Sequence, residues 1–210
     1  PILYIAIFLT IPFVLIFFME ADLRNFFESI FSMITFSSNF LFWLEEGEYF
    51  TDENHLKPFL HTWSLSIELQ FYLLFPVLLF LLSKNENYKI GIIVILFVSS
   101  FLISNILSIF YKDAAFYITI TRIWEILAGS ITYFISRKLK SKNNYSELIS
   151  LLSIVVIICS IIVFEKQTIH PSFLTLAPIL ATTSLIINCE NTKYTRLLLE
   201  NNIMRGLGKI

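Results

Sequence analysis

Charged residues, glycines and cysteines are scarce in this sequence. Only 15% of its 210 residues are charged, against about 25% in a typical soluble domain. The two cysteines, Cys159 and Cys189, lie inside apolar runs, so we expect small hydrophobic residues and no disulfide or metal chemistry. There is no glycine-rich phosphate loop and no Gly-x-Ser-x-Gly nucleophile elbow. Composition and motifs therefore argue against a soluble phosphate-loop enzyme or an α/β-hydrolase.

The sequence also lacks a tract of basic residues. Its formal net charge is -1, and without clustered lysines and arginines to neutralise phosphates we expect no nucleic-acid partner. None of the three histidines has a further ligand at helical or hairpin spacing, so no metal site is predicted. His55 lies in a hydrophilic stretch, where solvation is expected. His170 precedes Pro171 at the boundary of an apolar run, which favours an interfacial position.

Long apolar runs dominate what is present. Apolar residues make up 56% of the chain and are concentrated between short charged stretches, the pattern of successive transmembrane helices. We therefore predict an all-α fold, a polytopic transmembrane helix bundle of about six spans that forms one domain over residues 1–210. The runs that reach or approach the length needed to cross about 30 Å of hydrocarbon are Ile2–Met19, Ser64–Leu82, Ile90–Phe110, Ala114–Ile135, Ser146–Phe164 and Pro171–Asn188.

The basic residues cluster in three loops that alternate along the chain with acidic or uncharged ones. Two predicted spans separate each basic loop from the next, so all three fall on one side, which the positive-inside rule assigns to the cytoplasm. The acidic segment Glu45–Trp63 then lies outside. The basic loops carry Lys84 and Lys89; Arg137, Lys138, Lys140 and Lys142; and Lys193, Arg196, Arg205 and Lys209.

The stretch Arg24–Leu44 is aromatic-rich but interrupted by serines, a threonine and an asparagine. If Pro1 is cytoplasmic, the first span ends outside near Glu20, and this stretch must return on the same side as an interfacial or re-entrant segment. If Pro1 is external, the stretch is an ordinary span. Irregular backbone at that depth requires cover by protein or a water-filled cavity. Charge alone favours neither arrangement.

The densest polar cluster in apolar surroundings runs from His61 to Gln70. His61, Ser64 and Glu68 share one stripe of a helix that begins near Thr62. An ionisable residue about one turn inside the membrane is costly and indicates function by default. The alternative is local: Ser64 as a helix cap, Glu68 as a partner of the helix dipole and His61 at the interface.

A second charged pair lies in the middle of the predicted Ala114–Ile135 span. Arg122 and Glu125 are three residues apart and can pair within one helix. The pair could be structural and fix this helix to its neighbours, or it could form one wall of a polar cavity. The sequence leaves both readings open.

Several strings together resemble the acyltransferase-3 family of membrane acyltransferases. HTWSLSIELQFYLLFP resembles the family signature His-Thr-Trp-Ser-Leu-Ser-Val-Glu-Glu-Gln-Phe-Tyr-Leu, and TRIWEILAGS is similar to its Thr-Arg-x-Trp-Glu-Leu-x-x-Gly helix. Ser38-Asn39-Phe40 and Gly47-Glu48-Tyr49-Phe50 resemble the segment before that signature. LLLENNIMRGLGKI resembles the stretch that precedes the family's Ser-Tyr-x-x-Tyr-Leu-x-His element. The matches follow one order across nearly the whole chain.

The sequence departs from the family pattern in two ways. Leu69 stands where the family commonly has a second glutamate. The family's first two helices, which carry its arginine and proposed catalytic histidine, have no counterpart here, so these 210 residues alone are expected to be inactive. Pro1 resembles the proline that follows the family's basic motif, which implies a cytoplasmic start and a re-entrant Arg24–Leu44.

The resemblance implies an enzyme of the bacterial cytoplasmic membrane. It would transfer an acyl group, most often acetyl from cytoplasmic acetyl-CoA, to a hydroxyl of an extracytoplasmic glycan such as lipopolysaccharide or another surface polysaccharide. Such chemistry requires a base for the hydroxyl and donors for the oxyanion. The expected acceptor-side catalytic groups are His61, Ser64 and Glu68. The expected substrate-binding residues are Trp63, Ser66, Gln70, Tyr72, Arg122 and Glu125.

Two other classes of membrane protein compete with this interpretation. A transporter or flippase of lipid-linked sugars also uses intramembrane Arg–Glu pairs and broken helices, although no inverted repeat is visible. A sensory or scaffold protein without catalysis is the third possibility. The sequence specifies neither the acyl group, nor the acceptor, nor the oligomeric state.

Overall fold

The computed structural model describes residues 2–45, 59–82, 85–138, 145–165, 168–189 and 192–209. All regular secondary structure in these residues is helical, which confirms the predicted all-α class. His55, Gly47–Phe50 and three of the basic residues, Lys84, Lys140 and Lys142, lie outside the described residues. The helices are α1 (Ile2–Phe17), α2 (Glu20–Ile34), α3 (Ser38–Glu45), α4 (Thr62–Leu81), α5 (Glu86–Phe110), α6 (Lys112–Tyr117), α7 (Thr119–Lys138), α8 (Ser146–Val163), α9 (Phe173–Cys189), α10 (Tyr194–Leu199) and α11 (Asn202–Leu207).

The long helices are suited to a lipid environment. Four helical stretches are long and apolar enough to cross a membrane, and Leu3–Phe17 and Phe173–Cys189 are shorter apolar helices. These six elements correspond to the six predicted runs, so the polytopic bundle is confirmed. Large apolar side chains cover the outside of the bundle; Phe80, for example, is 87% exposed. The four spans are Thr62–Leu81, Glu86–Phe110, Lys112–Lys138 and Ser146–Val163.

Consecutive spans run in opposite directions, so alternate helix ends collect at the same end of the bundle; Lys138 at the end of α7, for example, donates to Asn87 at the start of α5. α5 packs along α7, α8 along α9, and α7 also contacts α4 and α9. The starts of α4, α7 and α9 therefore lie at one end, together with the last residues of α5 and α8. We call this the outer end, because the opposite end carries Arg137 and Lys138 in the last turn of α7, and the positive-inside rule predicts that such an end faces the cytoplasm.

Cysteine labelling in intact cells tests this orientation. With Cys159 and Cys189 replaced by serine, an impermeant maleimide should label Lys112→Cys at the outer end. Ser136→Cys, exposed near the end of α7, should react only after the membrane is permeabilised. Labelling of Ser136→Cys alone in intact cells would reverse the assignment.

The ambiguous stretch is two helices and not one continuous span. α2 ends at Ile34 and α3 begins at Ser38, and Phe36 between them has a φ of 57°, in the left-handed region. A helix of 15 residues, the length of α2, rises about 22 Å, less than the hydrocarbon thickness. This break agrees with the re-entrant alternative.

The turn between α2 and α3 reaches into the bundle beside α4. The amide Nε2 of Gln70 donates to the carbonyl of Phe36 over 2.6 Å. Phe26, earlier in α2, contacts Phe59 just before α4, with ring centroids 5.8 Å apart. Gln70 follows Thr62 by eight residues, or about 12 Å along the helix axis. The segment therefore descends from the outer end and returns to it.

Hydrogen bonds from two buried side chains fix α3 in place. The hydroxyl of Ser38 donates to the Thr62 carbonyl over 3.0 Å and lies 2.6 Å from the hydroxyl of Ser66. The Asn39 amide donates to the Tyr117 carbonyl over 3.1 Å and accepts from Gln70 over 2.9 Å. Both Ser38 and Asn39 are fully buried. Satisfied polar groups in such surroundings rigidify the packing because leaving them unpaired is costly.

Replacing Asn39 by leucine should therefore destabilise the bundle. Asn39→Leu leaves the Tyr117 carbonyl and the Gln70 amide without this partner, which should cost about 1–3 kcal/mol for each group left unsatisfied. Thermal unfolding of the purified protein in detergent measures the effect. Asn105→Leu is the matched control, because Asn105 is buried but donates to Phe101 one turn back in its own helix. Equal melting temperatures for the two variants would contradict this account.

The predicted Ala114–Ile135 span is interrupted, which corrects the sequence interpretation. Ile118 is extended between α6 and α7, because side chains take the carbonyls that a continuous helix would use. The Thr121 hydroxyl donates to the Ala115 carbonyl over 2.8 Å, and Asn39 takes that of Tyr117. Arg122 consequently lies in the first turn of α7, next to the break and towards the outer end of the stretch Lys112–Lys138.

Candidate active site

The two polar clusters of the sequence meet in one cleft at the outer end. Ser64 and Glu68, one turn apart on α4, are exposed on the same face. Arg122 and Glu125, one turn apart on α7, stand opposite them. The small cleft between these helices has a volume of ≈ 100 Å³ and is lined by Trp63, Ser64, Ile67, Glu68, Arg122, Glu125 and Ile126.

Arg122 is the most constrained charged group of this cleft. Its Nη1 donates to Glu125 Oε1 over 2.7 Å, and its Nε donates to the Phe116 carbonyl over 3.1 Å. The guanidinium carbon lies 5.1 Å from the Trp63 ring centroid and 4.8 Å from that of Phe116, within cation–π range. The side chain is only 8% exposed, so a buried cation is held in one orientation.

The first turn of α7 is itself held by α5. Ser100 places its hydroxyl between two backbone groups of α7, where it accepts from the Trp124 N–H over 3.1 Å and donates to the Ile120 carbonyl. Trp124 is fully buried against Phe101 of α5, with ring centroids 4.9 Å apart. This anchoring fixes the backbone from which Arg122 and Glu125 project.

His170 reaches the Arg122–Glu125 pair from the segment between α8 and α9. Its Nε2 contacts Arg122 Nη1 and lies 3.7 Å from Glu125 Oε1. The sequence analysis did not include His170 among the site residues. It lies 48 positions from Arg122, and helical periodicity relates only residues within one helix. The available signal was topological: the predicted α8–α9 connection falls at the same end as the start of α7.

The imidazole of His170 is uncharged at neutral pH. Burial, and then the neighbouring charge of Arg122, lower the pKa of His170 to about 3. A guanidinium only donates hydrogen bonds, so Nε2 of His170 must accept, and the proton of the neutral ring resides on Nδ1. His170 is therefore a neutral acceptor for Arg122.

A larger cleft lies on the other side of Glu125. It has a volume of ≈ 410 Å³ and runs between α7, α9 and the segment that joins α8 to α9. Glu125 lines both clefts, so the Arg122–Glu125 pair and His170 stand between them. The lining residues are Phe116, Glu125, Phe164, Glu165, Thr168, His170, Thr175, Pro178 and Ile179.

Comparison with known proteins identifies the family. The family description "Acyltransferase domain", that of the acyltransferase-3 family, matches residues 1–210. The chain belongs to the acyltransferase-3 family. The resemblance inferred from its motifs is confirmed, and the chain is an acyltransferase domain of a multi-pass membrane protein.

Individual relatives of this acyltransferase-3 chain are distant in sequence. An "Uncharacterized protein" of Haemophilus influenzae is 29% identical over 178 residues, 78% of this chain and 71% of that protein. A Staphylococcus aureus (strain COL) protein named "Putative O-acetyltransferase" is 32% identical over 151 residues, 66% of this chain and 25% of that protein. A "Putative membrane-bound transacylase" of Komagataeibacter xylinus is 26% identical over 70% of this chain and 38% of its own length. No solved structure is significantly similar.

The remaining predicted site residues of the acyltransferase-3 chain lie outside both clefts. Ser66 and Gln70 face α3, where they bond Ser38 and Asn39. Tyr72 is 61% exposed on α4. His61 occupies the N-cap position of α4 without a capping bond from its side chain, and its carbonyl accepts from the Ser64 hydroxyl over 3.2 Å. Their roles in substrate binding or catalysis stay predictions. The described residues contain no group of three His, Cys, Asp or Glu that could hold a metal ion.

Proposed function

We propose that the protein transfers an acyl group, acetyl in the first instance, from a cytoplasmic acyl-CoA to a hydroxyl of an extracytoplasmic glycan at the bacterial cytoplasmic membrane. The observation that carries the proposal is the small cleft, in which a fixed arginine stands beside two carboxylates at the outer end of an acyltransferase-3 domain. The printed names of the staphylococcal and Komagataeibacter relatives, which refer to O-acetyl transfer and transacylation, support acyl transfer to oxygen.

The reaction requires an oxyanion donor and a group that handles the hydroxyl proton. The acyl-CoA would enter from the cytoplasmic side with its thioester extended through the bundle to the small cleft. There the acceptor oxygen forms a bond to the acyl carbon, the carbon–sulfur bond of the thioester breaks, and the hydroxyl proton ends on the released thiolate. Arg122 has five N–H groups, of which two, on Nη2, donate to no side chain or backbone group in the described part of the chain. These N–H groups suit the negative charge that develops on the acyl oxygen.

Glu68 is the group best placed to orient the acceptor hydroxyl. It is exposed on α4, lines the small cleft with Ser64, and forms no hydrogen bond with another described residue. A carboxylate that is not used for folding can accept a hydrogen bond from the substrate hydroxyl and assist its deprotonation. Glu125, by contrast, is paired with Arg122 and is assigned to hold that side chain.

The glycan class can be tested directly on the intact membrane protein. Cells that express it should carry base-labile acyl esters on a surface polysaccharide, which mass spectrometry detects. Acetyl groups from isotopically labelled acetyl-CoA should appear in these esters. The transporter or flippase alternative predicts movement of a lipid-linked sugar without any new ester. Absence of new esters at normal abundance, across lipopolysaccharide and other surface polysaccharides, would contradict the proposal.

A further inference from the structure

Three separate chain segments hold the Arg122 guanidinium. The Phe116 carbonyl of α6 takes the Nε hydrogen, and Glu125 of α7 takes one hydrogen of Nη1. His170, from the segment before α9, contacts the same Nη1. Because Nη1 carries two hydrogens, Glu125 and His170 use both. The three partners thus occupy every N–H of Arg122 except those of Nη2.

We propose that His170 is a positioning residue for acyl transfer, which fixes the Arg122 guanidinium so that only its Nη2 is left to bind the acyl oxygen in the small cleft. The inference rests on the proposed function. It concerns a residue that lies outside both sequence motifs. His170 acts through Arg122, and no contact of its own with the reacting atoms is required.

The geometry does not favour a proton-transfer role for His170. A base would accept a proton through the lone pair of Nε2. In His170 that lone pair is directed to the guanidinium of Arg122. The other ring nitrogen, Nδ1, is buried and has no hydrogen-bond partner, and it carries the proton in this tautomer. The low pKa of His170 agrees with a ring that stays neutral.

Without His170, Arg122 would keep two partners and gain a free N–H on Nη1. Glu125 would then be the only described partner of Nη1, so the guanidinium could tilt about its bond to the Phe116 carbonyl. A donor that is displaced by about 1 Å can cost on the order of 100-fold in rate. The expected defect is therefore in kcat, with a smaller change in KM.

Amide substitutions separate positioning from proton transfer. The side-chain oxygen of glutamine can occupy the place of Nε2 and accept from Arg122, whereas the shorter amide of asparagine occupies the place of Nδ1. We expect His170→Gln to keep kcat within about threefold of wild type. His170→Asn and His170→Ala should lose about 10- to 100-fold in kcat. Ile169→Ala, at the exposed neighbouring position, controls for a general disturbance of this segment.

Nitrogen NMR of the ¹⁵N-histidine-labelled intact protein supplies a readout independent of turnover. The signal that disappears in His170→Gln should show a protonated Nδ1 and an unprotonated, hydrogen-bonded Nε2. The activities of all variants are compared at equal membrane abundance, and the melting temperature of each variant is measured separately. If His170→Ala fails to fold, the comparison of Gln with Asn still decides.

The outcomes separate this inference from the proposed function. A wild-type kcat in His170→Ala would overturn the positioning role of His170 but not the proposed acyl transfer. An equal loss of kcat in His170→Gln and His170→Ala would have the same consequence. A protonated Nε2 in the NMR spectrum would overturn it as well. No ester formation by the wild-type protein would reject the proposed function, and the inference with it.

Discussion

Replacing Glu68 by glutamine should reduce acyl transfer by at least about 100-fold, in the range expected for loss of an acid–base group, while the protein accumulates normally in the membrane. Glu68 lines the small cleft with Ser64 and Arg122 but bonds no other described residue. The amide keeps the shape of the side chain and loses its charge. Since an unpaired carboxylate near the membrane is costly, removal of the charge should leave the fold equally or more stable.

Membrane abundance and ester formation on the glycan should be measured side by side in this variant. Glu86→Gln is the matched control, because Glu86 lies in the first turn of α5 at the opposite end of the bundle. Normal activity in Glu68→Gln would reduce Glu68 to a partner of the helix end. Loss of abundance together with activity would make it structural.

Substitution of Arg122 should have the second large effect, on both activity and stability. Arg122→Gln removes the donor to the acyl oxygen, which typically costs about 10²–10³ in kcat. It also leaves Glu125 without its cation, and removal of one partner of a buried pair costs about 3–5 kcal/mol. Glu125 is 28% exposed, so we expect a stability loss below that range.

Arg122→Lys should separate the two contributions. Lysine keeps the positive charge for Glu125 but cannot reproduce the fork of the guanidinium, which reaches Phe116, Glu125 and His170 together. We expect most of the stability to return and most of the activity to stay lost. Arg137→Lys is the control on the same helix, because Arg137 is exposed and contacts Tyr133 at the opposite end. Wild-type activity in Arg122→Lys would contradict the role of the fork.

Hydropathy predicted the bundle well because lipid imposes a simple constraint. A helix that faces hydrocarbon needs apolar residues on all sides over a fixed length, and α4, α5 and α8 meet that requirement in the sequence itself. The two polar clusters were recognisable for the same reason. Glu68 and Arg122 are expensive in such surroundings, so their presence indicated a site.

Breaks and long-range contacts were less accessible to sequence reasoning. The interruption at Ile118 depends on hydroxyl and amide groups that bind particular carbonyls, among them Asn39, which lies 78 positions before Tyr117. The contact of His170 with Arg122 likewise depends on the packing of α9 against α7. No local periodicity encodes either feature.

The central claim is that the small cleft is where acyl transfer occurs. Ser64→Cys, in a protein whose Cys159 and Cys189 are replaced by serine, places a thiol in that cleft. A methanethiosulfonate reagent should abolish ester formation by this variant, and acyl-CoA or glycan acceptor should slow its modification. Ser136→Cys, at the opposite end, should show neither effect. Complete modification of Ser64→Cys with full activity and no protection by either substrate would contradict the account.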